Sequence, residues 1–174
     1  MDVLNTIKER RSIRKFTDTP ITSNDINIIL EAARWAPNAG NSNSWRFIVV
    51  SSPKLVHTMQ NFTPGIFNKP AAIIVVCIEP TQKRIKEATR LIHMADAAIV
   101  SQNISLVAYS MGIGSCIVAS FAAIAIRALL DIPEHITPYL AISLGYPDES
   151  PIPPPRLSIS DTAFLDNYGS KWQS

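Results

Sequence analysis

The stretch DAAIVSQNISLVAYSMGIG, residues 96–114, decides the fold. Ala97, Ala98, Ile99, Val100, Ile104, Leu106, Val107 and Ala108 point all round a helix axis, while Asp96, Ser101, Gln102, Asn103 and Ser105 share no single face. A helix that is apolar all round is buried on every side. In one small domain that leaves two readings: a central core helix, or a helix shared with a second subunit. The helical pattern runs from about residue 86 to 111, and Gly112 and Gly114 end it.

Working outward, residues 71–78 form an apolar run between Pro70 and Pro80, which predicts a strand buried on both faces. Residues 45–50, 115–119 and 139–145 also read as strands. A first helix over residues 2–10 takes Asp2 as its N-cap and Val3, Leu4 and Ile7 as its apolar stripe. A second starts at Thr22 or Ser23, repeats Ile26, Ile29, Leu30 and Ala33, and stops before Pro37. A short helix after Ser52-Pro53 turns Leu55, Val56, Met59 and Phe62 inward, and another covers residues 122–130. Pro147, Pro151, Pro153, Pro154 and Pro155 then keep the chain extended. The tail beyond them carries Leu157, Ile159, Phe164, Leu165, Tyr168 and Trp172, too many large apolar groups for a disordered segment. It must lie on a surface, its own or a partner's.

Composition fits this picture. The 174 residues carry a net charge of +2, with 47% hydrophobic and only 17% charged residues, against roughly 25% charged in an average domain. The length predicts a single domain over residues 1–174, with an arm from about residue 147. Such a chain buries about 70% of its unfolded surface and needs no disulfide or metal staple. Cys77 and Cys116 sit in apolar stretches and read as buried thiols of a reducing compartment. The near-neutral balance argues against a nucleic-acid partner. The N-terminus is no secretory signal, and the longest unbroken apolar run, residues 71–78, falls far short of a membrane span. A cytoplasmic location without membrane attachment is the expectation.

Three segments could carry chemistry. Residues 10–16, RRSIRKF, place three guanidiniums and a hydroxyl where a helix ends, and five of the 16 basic residues stand between Lys8 and Lys15. Arginine forks suit phosphate and other planar anions; a solvated cationic helix end is the plainer reading. Residues 36–47, APNAGNSNSWRF, are dense in amides and hydroxyls that can donate to and accept from a heteroaromatic edge; an ordinary polar turn is the plainer reading here. Residues 112–117, GIGSCI, lack the third glycine of a dinucleotide fingerprint and follow a helix. His57, His93 and His135 have no metal-ligand spacing, and no nucleophile elbow is present. The chemistry should therefore be a cofactor's.

Together these segments, with residues 115–121 (SCIVASF) and 143–156 (SLGYPDESPIPPPR), come in one order and resemble the FMN-dependent nitroreductase family. The resemblance implies an α+β fold, with a central mixed sheet flanked by helices, that forms an intertwined homodimer in which the long helix packs on its mate and the arm embraces the other subunit. It implies two FMN molecules at the interface. It also implies hydride transfer from NADH or NADPH to a small acceptor such as a nitroaromatic, quinone or flavin. By position, Arg10 and Ser12 would hold the FMN phosphate and ribityl end with Arg11 nearby, and Arg156 would bind the phosphate again. Arg14 would sit by the N1–C2=O edge of the flavin. Pro37, Asn38, Ala39 and Asn41 would contact the flavin from the second subunit, and Ile117, Val118, Ala119 and Ser120 would line the opposite ring face. Asn68 and Lys69 would reach the pyrimidine edge. The chain departs from the family at Pro154, where many members carry a cation, at Ser120, where glycine is common, and at Ile117, where tryptophan or proline is common. Only residues 79–88 join the buried strand to the long helix, where longer members insert a lid, so the flavin would be open to bulky acceptors. The alternative is an FMN-containing relative with other redox chemistry: reductive dehalogenation, flavin destruction or azoline oxidation.

Overall fold

A computed structural model describes residues 2–80 and 86–172. Its centre is β2 (Ala72–Ile78), all seven residues of which are buried. β2 pairs antiparallel with β1 (Trp45–Val50) on one side and with β4 (Thr137–Gly145) on the other, and β3 (Gly114–Val118) completes the order β1-β2-β4-β3. The expected mixed sheet is thus realised as four antiparallel strands, and a parallel contact appears as an isolated bridge between Ser12 and Ser115. Side chains alternate across a strand, so β2 feeds two cores. Ile74, Val76 and Ile78 face α2 (Ser23–Arg34) and α4 (Lys86–Ser110), meeting Ile29, Ala33, Val100 and Ile104. Ile73, Val75 and Cys77 face the other way, into a core that takes Val56 and Met59 from α3 (Pro53–Gln60) and Ile126 from α5 (Ala123–Leu129). Burying each such aliphatic side chain contributes roughly 1.5–3 kcal/mol.

Local signals fix most element ends. Thr22 accepts from the Asp25 amide at 3.1 Å and Asp25 reaches back, a capping box that starts α2. Gly112, at φ +75°, ends α4 in a Schellman turn: the Ile113 amide donates to Ala108 O at 2.9 Å and the Gly112 amide to Tyr109 O at 3.0 Å. Gly114 takes no part in that turn, contrary to expectation; it opens β3 and lies under Ile13.

The helices expose more than the pattern foretold. In α1 (Val3–Glu9) the buried residue is Thr6, and the stripe of Val3, Leu4 and Ile7 faces outward; Asp2 makes no side-chain cap. Phe62 lies beyond the end of α3 and is exposed rather than inward. Within one chain α4 is not buried all round: Ala97, Val100, Ile104 and Ala108 are enclosed, whereas Ile99 on another face is 38% exposed. Residues 90–110 are long and apolar enough to span a bilayer, yet the enclosed face lies in the core between α2 and the sheet. The short connection expected to leave the flavin uncovered includes residues 81–85, which lie outside the described residues.

Gly114 and Gly145 pair across β3 and β4. A Cβ on Gly114 would stand 2.8 Å from Ile13 Cβ, and one on Gly145 2.6 Å from Phe16 Cδ1. The chain from 13 to 16 therefore rests on a shelf that has no side chains. Gly145→Ala should lower the unfolding free energy by about 1–3 kcal/mol through overpacking, read from urea denaturation. Burial pushes the Cys77 thiol up to about 12 from an ordinary 9.0. The folded thiol stays neutral where the unfolded one ionises, so its contribution to stability is full below pH 9 and is lost as pH rises through 12. Alkylation of Cys77 at pH 8.5, mapped by peptide, should follow global unfolding and be negligible in the native protein.

Candidate functional site

The basic segment is held largely by its backbone. After α1 the chain turns extended at Arg10. The Ile13 amide donates to Ser115 O at 2.9 Å. Residues 14–17 then run antiparallel to residues 146–149. Phe16 bridges Pro147, the Thr17 amide donates to Tyr146 O at 2.9 Å, and the Asp148 amide donates to Lys15 O at 3.0 Å. Glu149 Oε1 accepts from both the Arg14 and Lys15 amides. Arg11 Nη1 donates to Lys8 O at 2.6 Å and to Arg10 O at 2.8 Å. The Nε atoms of Arg10 and Arg11 are both buried and have no partner. An unpaired buried donor costs about 1–3 kcal/mol, so each is a position an incoming acceptor would satisfy. Both arginines line a cavity of about 380 Å³ that also takes in Gly112, Gly114, Ser115 and Glu149. On its wall the Tyr109 hydroxyl donates to Glu9 at 3.0 Å, and that carboxylate raises the Tyr109 pKa.

The loop after α3 joins this region. Asn68, at φ +54°, donates through Nδ2 to Arg14 O at 2.7 Å, and Gln60 Nε2 donates to Asn68 O. Gly65 comes so close to the end of β3 that a Cβ would lie 2.5 Å from Val118 Cγ1 and 3.2 Å from Ser120 Oγ. Val118 is buried, whereas Ile117, Ala119 and Ser120 are exposed. Residues 10–14 thus lie along the start of β3, the loop carrying Asn68 joins them through Arg14, and the same loop reaches residues 118–120 at the far end of β3. Lys69 is exposed and lines a separate cleft with Asp18, His57 and Gln60.

The amide-rich loop is a second, distinct group. Gly40, Asn41 and Asn43 take left-handed conformations at φ +61°, +50° and +49°, which glycine and asparagine tolerate. Asn38 Oδ1 accepts from the Asn43 amide at 2.9 Å, and Asp96 on α4, itself buried, accepts from the Ala39 amide at 3.0 Å. Pro37, Asn38 and Asn41 line a polar cavity of about 470 Å³. This cavity and the one at Arg10 have no lining residue in common. Arg156 stands apart from both on the exposed arm, donating to Pro155 O at 3.4 Å. Among the described residues no group of His, Cys, Asp and Glu is placed to hold a metal.

Sequence reasoning passed over Glu149, Asp96, Gln60 and Gly65. Glu149 and Asp96 lie inside quoted motifs, and Asp96 is an acid opening the most apolar part of a helix, a signal that was available. Gln60 and Gly65 carry no local signal, because their partners come from other elements.

Comparison with known proteins places this geometry. The family model described as the nitroreductase family matches residues 7–70 and 56–146. A protein of Methanothermobacter thermautotrophicus with the provisional name NADH dehydrogenase/NAD(P)H nitroreductase is 38% identical over 157 residues, covering 87% of this chain and 80% of its own. An NADPH-flavin oxidoreductase of Vibrio harveyi is 29% identical over 180 residues, covering 96% of this chain and 75% of its own. The solved structure of the Vibrio harveyi NADPH:FMN oxidoreductase complexed with NAD+ superposes with a TM-score of 0.86 at 27% identity, covering 95% of this chain and 77% of that one. With a family model matched across most of its length and the same α+β architecture, the chain belongs to the nitroreductase family.

Proposed function

We propose that the chain is an FMN-dependent oxidoreductase that takes hydride from NADH or NADPH and passes it to a small organic acceptor such as a nitroaromatic, a quinone or a flavin. The observation that carries this reading is the pair of buried, unpartnered guanidinium nitrogens on Arg10 and Arg11 beside a cavity floored by glycine backbone. They suit an anionic phosphate, and the names of the relatives supply the flavin and the nicotinamide.

The residues present fit FMN. Arg10 and Ser12 would hold the phosphate and ribityl end with Arg11 beside them, and Arg156 on the exposed arm would add a cation. Arg14 lies at the pyrimidine edge with Asn68. Its positive charge stabilises the negative charge that a reduced ring carries, which favours reduction. Ile117, Ala119 and Ser120 would line one ring face, with Val118 buried behind them in the same segment. Bound FMN supplies a ring that takes two electrons from reduced nicotinamide and gives them to an acceptor. The chain contributes position rather than a proton-transferring side chain; protons on the acceptor come from water.

The reading includes a homodimer, with residues 1–174 as one FMN-binding domain and the arm from about residue 147 packed on the other subunit. Unpartnered apolar surface supports it: Val3 is 70% exposed, Trp35 72%, Ile152 89% and Tyr168 93%. Val3, Trp35, Leu106 and Val107 line a shallow cavity of about 650 Å³ between α1, α2 and α4. Contiguous apolar surface of this kind marks an interface. Pro37, Asn38, Ala39 and Asn41, which share no cavity with Arg10, then face the flavin of the other subunit. Nothing in this reading calls for a membrane or a nucleic acid, and a cytoplasmic location goes with it.

Purified protein should be yellow and should bleach anaerobically with NADH or NADPH; a colourless protein that FMN cannot reconstitute would overturn the assignment. Arg14→Ala should leave the dimer intact, weaken FMN binding by about 10- to 100-fold, the worth of a charged hydrogen bond, and slow flavin reduction in stopped flow. Ile99→Glu should change the stability of the folded monomer by no more than about 0.5 kcal/mol, as at other exposed positions. In the dimer it buries an unpaired charge at about 3 kcal/mol or more per copy. Sedimentation equilibrium should therefore show monomer, with FMN lost.

A further inference from the structure

We propose that Glu149 is the residue that positions Arg14 at the cofactor and couples the cofactor loop to the root of the arm; this rests on the FMN reading above. One carboxylate oxygen of Glu149 accepts two consecutive backbone amides, those of Arg14 and Lys15. The antiparallel backbone contacts between residues 14–17 and 146–149 end at the Asp148 amide on Lys15 O. Glu149 extends them by one step with its side chain, where the proline-rich arm leaves the domain. From the other side Asn68 Nδ2 holds Arg14 O at 2.7 Å. Both flanking peptide groups of Arg14 are therefore fixed, and its guanidinium is left for a ligand.

The choice of partner matters. Glu149 stands in a segment with Arg10, Arg11, Arg14 and Lys15, and a carboxylate there would ordinarily neutralise one of them. Among the described residues no Lys, Arg or His nitrogen forms an ion pair with it. Glu149 is half-buried and lines the cavity beside the unpartnered Nε atoms of Arg10 and Arg11. Its charge is directed to backbone N–H groups, so the side-chain cations stay available to an anion.

The test compares Glu149→Ala and Glu149→Gln with the parent protein. Gln keeps an acceptor oxygen for both amides and loses the charge. In cofactor-free protein, hydrogen exchange at the Arg14 and Lys15 amides should speed up at least tenfold in Glu149→Ala, with β2 amides unchanged as the sign of an intact fold. The FMN dissociation constant should rise at least tenfold in the same variant. Glu149→Gln should stay within about threefold of the parent in both measurements. Faster exchange without loss of FMN affinity overturns the proposal, as does a Gln variant as impaired as the Ala variant, which would make charge rather than position the cause. If the parent itself takes up no FMN, the cofactor reading fails and this proposal falls with it, whereas normal uptake by the parent and an unaltered Glu149→Ala overturn this proposal alone.

Discussion

The candidate site depends on the close approach of residues 13–16 to the paired glycines at the start of β3 and the end of β4. Side chains can pack this close to a strand backbone only where no Cβ intervenes. Gly114 and Gly145 face one another in register, so the bare patch is two residues wide, and Ile13 and Phe16 fill it with buried side chains. Everything the site needs follows from that seat. It sets Ser12 against Ser115, brings Arg10 and Arg11 to the end of α4, and lays residues 14–17 beside the start of the arm. A motif read as a failed dinucleotide fingerprint has its physical use here as a shelf.

Much of this was legible where a pattern is local. The run at 71–78 could only be a strand covered on both sides, and β2 feeds two cores from its alternate residues. The Asn-rich loop was legible as a polar turn, while the left-handed conformations of Gly40, Asn41 and Asn43 came from the structure. The hydrogen bonds that give the site its shape were illegible for the opposite reason. Glu149 meets Lys15 across 134 residues and Asp96 meets Ala39 across 57. A lone acid says nothing about a backbone amide that distant until a sheet brings the two together. The same holds for Phe62, whose spacing continued the stripe of α3 although the helix had already ended.

The exposed apolar surface has a sharper meaning than the composition suggested. A chain with 17% charged residues has little with which to cover its outside. Such a chain can still fold, since the sheet is enclosed by its own helices, but α1, the outer face of α4 and the arm are left bare. The arm keeps some order by itself: Ser158 caps a short helix, α6 (Ile159–Thr162), and Phe164 stacks with Tyr168 at 4.5 Å between ring centres. It is an extended element with internal structure and almost no seat on its own domain.

These features bear on how binding and assembly are connected on the proposed reading. Arg10 and Arg11 line one cavity and Pro37, Asn38 and Asn41 another, with no lining residue in common; on that reading a ligand touching both groups does so across two chains. Such a ligand binds the dimer and not the monomer, and by mass action it stabilises the dimer by about 2.7 kcal/mol at a hundred times its dissociation constant. The coupling is reciprocal: whatever strengthens association tightens the ligand by the same factor. The arm then has two roles that cannot be separated energetically. Its root fixes Arg14 through Glu149, and its far end supplies interface. On that reading a substitution at an interface residue of the arm changes cofactor affinity even where that residue does not meet the flavin.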